Sequence, residues 1–311
     1  MDMRPFTISN ALTHAFWTPS PRGSLLVFAA AYVAGSMAMQ LVGLFTQSEV
    51  YALYLRAFVD GGGDFTPYLD DLEDVSGQSN LASLLLMPLG FLVWVVFEGA
   101  SQRRYIRWEG FRLRLGADEG RLAVVGLIWF ALIMGASIAG VIAIFVSFGI
   151  GALIGGITAG SGLALVATLV FGAGMVWVFA RLSPASALTI RDQNIRFFEA
   201  WSATKVCATP LFLSYLALAA MITILYFAAM FVMLVMAILL LGPAATGDGA
   251  NAGTILAAIG QPGFWVPMGI ALIALSFAGA VITHVFAGPA ALAAKTDPNW
   301  IGEEGVPGAF S

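Results

Sequence analysis

Arginine, in clusters, is the main chemistry this sequence offers. From position 103 to 121 the chain reads "RRYIRWEGFRLRLGADEGR", with six arginines and three acids. A guanidinium is a planar fork of donors that matches phosphate oxygens. Twelve of the fourteen basic residues are arginine. No G-x-x-x-x-G-K-[ST] loop accompanies them, and the stretch has no lysine. A nucleotide is therefore a poor fit, and a lipid phosphate a better one. Basic residues just cytoplasmic of a membrane span attract anionic lipid by roughly 1 kcal/mol each. The headgroup candidates are Arg103, Arg104, Arg107, Arg112 and Arg114, joined by Arg191 and Arg196. The same arginines also serve as a topology signal, and both readings stand.

Other reactive residues are sparse. Cys207 is the only cysteine, so neither an intrachain disulfide nor a cysteine metal cluster can form. His14 and His284 have no acid at ligand spacing, whereas a catalytic zinc wants about three protein ligands. His284 reads as a hydrogen-bonding partner for a neighbouring helix. Glu98, at the end of an apolar run, reads as a structural partner of Arg103 or Arg104. Six acids (Asp60, Asp64, Asp70, Asp71, Glu73 and Asp74) crowd one loop. They lack EF-hand spacing and read as a solvated loop. No Ser-His-Asp set, paired-carboxylate site or zinc-protease motif is visible. The chain is expected to be no enzyme, with no catalytic, cofactor-binding or metal residues. Its pI of about 5.1 argues against nucleic acid as a partner.

The elements that carry these residues are membrane spans. Of 311 residues, 59% are hydrophobic and 10% charged, against about 25% charged in soluble domains. Apolar runs of 18 or more residues read as transmembrane helices. The expected fold is all-α, a polytopic helical bundle in one integral membrane domain over 1–311. Six spans fit, at about 24–45, 81–98, 122–148, 162–181, 209–241 and 264–287. The first is too long for a signal-peptide core and reads as a retained helix. Between 122 and 180 there is no Asp, Glu, Lys, Arg or His. Two spans joined by a turn in "GIGALIGGITAGSG" (149–162) account for that length. The same stretch offers small-xxx-small spacing, which permits close helix approach.

Thirteen of the fourteen basic residues fall before span one, between spans two and three, between four and five, or after six. Only Arg56 falls on the other side. The positive-inside rule makes the thirteen-residue side, and both termini, cytoplasmic.

Three similar units are expected, each a hairpin of two spans. Spans two, four and six end in "VFEGASQRR", "VFARLSPAS" and "VFAGPAALA". Short alternating pieces precede the other spans: Phe6-Thr7-Ile8, Leu113-Arg114-Leu115 and Leu188-Thr189-Ile190. These read as cytoplasmic extended segments able to pair, with 111–115 placing Phe111, Leu113 and Leu115 on one face. Ser9, Asp118 and Asp192 read as N-caps. Amphipathic helices near 10–17 and 192–205 carry Trp17 and Trp201 and read as interfacial. Pro19, Pro21 and Pro210 argue for breaks before spans one and five.

The order "RPFTISNALTHAFW", then spans, then "ARLSPASALTIRDQNIRFFEAWSATK" resembles the YciC-type bacterial inner-membrane proteins. It is also similar to the membrane domain fused to some glycerophosphoryl diester phosphodiesterases. Arg181, Pro184, Ala200, Trp201 and Ser202 match the pattern of those families. The resemblance implies a bacterial inner-membrane location and supplies no catalytic residues. The expected function is a non-catalytic protein that organises membrane lipid, including anionic phospholipid, or a partner. That partner is a second copy or an unidentified membrane protein. The alternative is a transporter or exporter of a lipid or other amphipathic substrate.

Overall fold

The computed structural model describes residues 5–18, 23–247 and 249–297. Arg4, Arg22, Pro19 and Pro21 lie outside the described residues. Among the described residues all regular structure is helical: α1 (Ile8–Trp17), α2 (Ser24–Val59), α3 (Leu69–Arg107), α4 (Ala117–Leu182), α5 (Ala185–Asp192), α6 (Glu199–Ala203), α7 (Ala208–Thr246), α8 (Ala252–Ile259) and α9 (Pro262–Lys295). Four of them, α2, α4, α7 and α9, are long and apolar enough to cross a membrane. A fifth joins them if Thr66–Leu81 and Leu86–Arg107, bent 40° at their junction, form one span. Such helices are apolar all round, as a lipid surround requires. Phe45, Phe58 and Leu239 are 70% or more exposed, which fits helices whose solvent is hydrocarbon. The chain has the helix inventory of a multi-pass membrane protein.

Contacts divide the chain into two compact units. Among the described residues, one comprises 5–18, 95–219 and 284–297. It holds the largest fully buried side chains, among them Arg103, Tyr105, Phe197, Leu122 and Leu211. Its apolar core is Leu211, Tyr215, Leu218 and Ala291, with a second cluster of Val125, Leu188, Phe197 and Ala294. The other unit comprises 23–94, 220–247 and 249–283. There Asp60 accepts a hydrogen bond from the Ala252 amide at 2.8 Å, tying the end of α2 to the start of α8.

Within α4 the helical path breaks at Gly155 and at Gly156, whose φ is +75°. A Cβ on Gly151 would lie 2.6 Å from the Ala159 carbonyl oxygen, and one on Gly140 would lie 2.8 Å from the Phe171 ring. The chain therefore doubles back at this point. The turn is tighter than the fourteen-residue glycine segment suggested. Gly149 and Gly151 sit inside the helix, and the close approach needs a glycine at 151. The small-residue spacing serves this contact within the chain.

Local structure departs from the sequence reading in several places. Leu188-Thr189-Ile190 lies in α5 and is not extended. Its side chains are buried, so an apolar–polar–apolar triplet was satisfied by helical packing. Residues 108–115 are irregular and form no strand. Phe111 stacks on Phe97 at 6.2 Å, but Leu113 and Leu115 are exposed, so the alternating face packs through one residue only. The cap of α1 is Thr7, whose hydroxyl accepts from the Asn10 amide at 3.1 Å, not Ser9. The cap of α4 is Gly116, whose amide donates to Glu119 at 2.9 Å. Asp192 ends α5 and caps nothing downstream, because Gln193 turns left-handed there. In place of a helix over 192–205 there is a five-residue α6. The break before α7 is a turn over 204–207, with Pro210 in the first turn of the helix.

Candidate functional site

The arginine-rich stretch folds into a buried ion-pair cluster where α3 ends and α4 begins. Arg103 and Arg107 are one turn apart on the last turns of α3, so both point to one side. Asp118 and Glu119 occupy the first turn of α4, where the helix dipole favours carboxylates by roughly 0.3–1 kcal/mol. The loop between them brings the two ends together. Arg103 Nη1 donates to Glu119 Oε1, and both side chains are almost fully buried. Arg103 Nη2 also donates to the Arg112 carbonyl at 2.9 Å. Arg107 Nη1 donates to Asp118 Oδ2 at 2.7 Å, and its other nitrogen to the Ile190 carbonyl. Arg121 and Arg114 reach the same Asp118 at 3.0 and 3.2 Å. Glu109 approaches Arg103 at 3.6 Å and Arg114 at 3.5 Å.

This electrostatic environment shifts the groups within it. Burial pulls Arg103 down to about 10, helped by the neighbouring Arg114 charge and opposed by Glu109 and Asp118. Burial pushes the Asp118 carboxyl up. The Arg107 hydrogen bond, with the charges of Arg107, Arg103 and Arg114, outweighs this and holds it below the ordinary carboxylate value.

The headgroup candidates thus separate into two sets. Arg103, Arg104, Arg107 and Arg191 are buried structural cations. Arg104 donates to the Thr18 carbonyl at 3.1 Å. Arg191 forks onto Asp192 at 2.6 and 3.1 Å and donates to the Ala294 carbonyl at 2.6 Å. Arg112, Arg114 and Arg196 are at the surface. Arg196 is engaged by Glu199 at 3.2 Å and Asp192 at 3.6 Å. Arg112 has no carboxylate within 4 Å among the described residues. It sits on an irregular loop beside exposed Trp108, Leu113 and Leu115. Trp108 has a φ of +61°, and the Lys295 ammonium lies 5.3 Å from its ring centre.

A second group of buried polar residues surrounds Tyr105. Its ring stacks between His14 at 5.3 Å and His284 at 4.7 Å. Its hydroxyl donates to the His284 carbonyl at 2.7 Å. His284 Nδ1 meets Ser101 of α3 at 3.3 Å, the interhelical hydrogen bond expected of it. Burial, then the Lys295 and His284 charges, lower His14 to about 4. Burial lowers Lys295 to about 8. Glu98 is not the ion-pair partner of Arg103 or Arg104 that its spacing suggested. It accepts from Gln102 at 2.9 Å, one turn along its own helix. The partner of Arg103 comes from α4 instead.

Sequence reasoning missed Glu109, Asp118 and Glu119 as the acids of this cluster. Their proximity to the arginines in sequence was visible, but the pairing depends on how the loop closes. No family model, no curated protein and no solved structure matches the chain.

Proposed function

We propose that this chain is a non-catalytic protein of the bacterial inner membrane whose loop 108–116 rests in the headgroup layer. It engages anionic phospholipid there, organising lipid or a membrane partner at the cytoplasmic surface. The observation that carries this reading is the pairing of two exposed cations, Arg112 and Arg114, with exposed Trp108, Leu113 and Leu115 on one short loop. Apolar side chains beside arginines are what the boundary between headgroups and acyl chains accommodates. The buried cluster beneath holds the loop in place, since Arg103 grips the Arg112 carbonyl.

In the topology that supports this reading, α2, α3, the two halves of α4, α7 and α9 make six spans. They form three hairpins, with both termini cytoplasmic. The charge count favours that orientation, since the side with thirteen basic residues is the cytoplasmic one. The resemblance to YciC-type proteins, through Arg181, Pro184, Ala200, Trp201 and Ser202, supports the same placement. In that region Arg181 stacks over Trp201 at 4.3 Å and donates to Thr204 at 2.8 Å.

Native mass spectrometry of protein extracted from phosphatidylglycerol-containing membranes tests the proposal. The expected result is retained anionic lipid, reduced when Arg112 and Arg114 are both replaced by Gln, with the fold kept and the melting temperature lowered only slightly through the lost Arg114–Asp118 pair. Equal retention in the variant means these arginines serve topology alone, and the reading fails.

A further inference from the structure

The arginine loop is not the only place where polar groups meet lipid. Helix α2 carries a line of neutral polar residues: Tyr32, Ser36, Gln40, Gln47 and Tyr51. At 100° per residue these fall within one narrow face. The opposite face holds Leu41, Val42 and Phe45, all exposed as lipid-facing residues should be. Tyr32, Ser36 and Gln47 on this face are half-buried within its unit, while Gln40 and Tyr51 are exposed. Tyr32 lies beside Gly279 of α9. Gln40 donates through Nε2 to Ser36 Oγ at 3.1 Å and to Ser276 Oγ of α9 at 3.4 Å. Gln47 donates to Ser83 of α3 at 3.3 Å.

Two features of Gln40 mark it out. Its neighbours on this face, Val33, Ser36, Met37, Gly43, Leu44 and Gln47, are all half-buried, yet Gln40 itself is exposed. Its side chain therefore lies open at the surface of its unit. Both of its hydrogen bonds leave through the amide nitrogen, and no hydrogen bond reaches its carbonyl oxygen among the described residues. Gln40 lies sixteen residues beyond Ser24 in an apolar helix, about 24 Å along it and still within hydrocarbon depth. At that depth water does not satisfy a free acceptor, and an unmet polar group is costly. On the Ser24 side, Phe28 is buried and stacks on Tyr32 at 6.4 Å, closing the face.

We propose that the exposed Gln40 carboxamide, held beside Ser276 of α9, binds the uncharged hydrogen-bond donor of a membrane amphiphile, a hydroxyl such as that of diacylglycerol. Gln40 Oε1 accepts the donor, while Ser36 and Ser276 hold the carboxamide in orientation. The acyl chains extend along the exposed apolar surface. The site has no ionisable side chain other than tyrosine in its line, so a charged headgroup would enter without a counter-charge. A neutral donor needs none. This inference is independent of the arginine loop and concerns a different ligand.

Photocrosslinking in phosphatidylcholine nanodiscs tests it, with a diazirine-bearing diacylglycerol and its O-methyl ether as probes. The expected result is adducts on 33–47 and near Ser276, about threefold to tenfold weaker for the ether and for Gln40→Leu, the loss of one hydrogen bond. Adducts on lipid-facing residues should not change. Ser276→Ala, which removes only an orienting group, should weaken labelling less than Gln40→Leu. Equal labelling by the ether, or equal labelling of Gln40→Leu, overturns the proposal. So does a native-mass dimer that Gln40→Leu dissolves, because the occupant is then a second copy. Should Gln40→Leu fail to fold, the ether comparison on the wild-type protein decides. The retention of anionic lipid by Arg112 and Arg114 is read separately, so either proposal can fail alone.

Discussion

Arg103 is 1% exposed, and Glu119, its carboxylate, is 2% exposed. A pair this deep gives little net stability by itself, but breaking one half leaves a buried charge and costs about 3–5 kcal/mol. Glu119→Gln should therefore lower the melting temperature sharply in detergent, and Arg103→Met combined with Glu119→Leu should recover much of the loss. A double variant no more stable than Glu119→Gln would show that the pair acts through something other than its charges. His14 adds a pH dependence. Its folded value of about 4 lies below the ordinary 6.5, so between these values the unfolded chain binds more protons. Stability contributed here is lost as pH falls from 6.5 towards 4, and rises with pH across that window. Melting curves from pH 4 to 7 should show this slope, and it should flatten in His14→Phe. Of this site, the arginines and their count were legible in the sequence. Which of them are buried was not. Burial depends on whether a carboxylate from another helix arrives, and Glu119 does so only because the loop carrying Arg112 closes between them.

At the scale of elements, apolar length is what the sequence displays most openly. The starts of α2, α7 and α9 fall within two residues of the expected span starts. The ends differ more, because helices continue into polar sequence once their hydrogen-bonded ladder is running. α2 runs on to Val59, fourteen residues past the expected end. The segment at Leu188 misled for a different reason. Three residues fit either periodicity, and burial on all sides decided for helix. The glycines of 149–162 announced a turn but not its place. Only Gly156 has a positive φ there, with ψ near −171°, and a non-glycine residue in that conformation costs about 1–3 kcal/mol. Gly156→Ala should lower stability by about that much. Gly151→Ala should cost more, since its Cβ would lie 2.6 Å from a backbone oxygen that cannot move alone. Gly149, with open space around it, is the control: Gly149→Ala should be neutral or mildly stabilising, as helix propensity dictates. Thermal melts of the three variants in one detergent check the order, and equal losses at 149 and 151 would contradict the close approach.

At the scale of the whole molecule the question is threading. α2 has 36 residues and α7 has 39, about 54 and 58 Å. A bilayer with its headgroups is roughly 40–45 Å thick, so these helices must protrude or tilt. The proposed orientation rests on charge. Cytoplasmic placement of arginine is enforced during insertion over short loops. The loops holding 103–121 and 181–205 are short and rich in it, while the connection after α2 carries Asp60 and Asp64 with only Arg56 nearby. Acidic residues contribute little to orientation, so in the proposed topology that connection is free to cross. Reporter fusions after Gly61 and after Gly249 should both read as external, and fusions after Gly110 and Asn194 as cytoplasmic. The pair around α4 is the most discriminating. If the two halves of α4 are separate spans, a fusion after Gly156 reads external while those after Gly110 and Asn194 remain cytoplasmic. If α4 is a re-entrant pair that never reaches the far side, the Gly156 fusion reads neither as a periplasmic enzyme nor as a cytoplasmic one. In that case a cysteine introduced there on a Cys207→Ser background stays unlabelled by a membrane-impermeant maleimide from either face. Labelling from the external face alone is the outcome that six spans require.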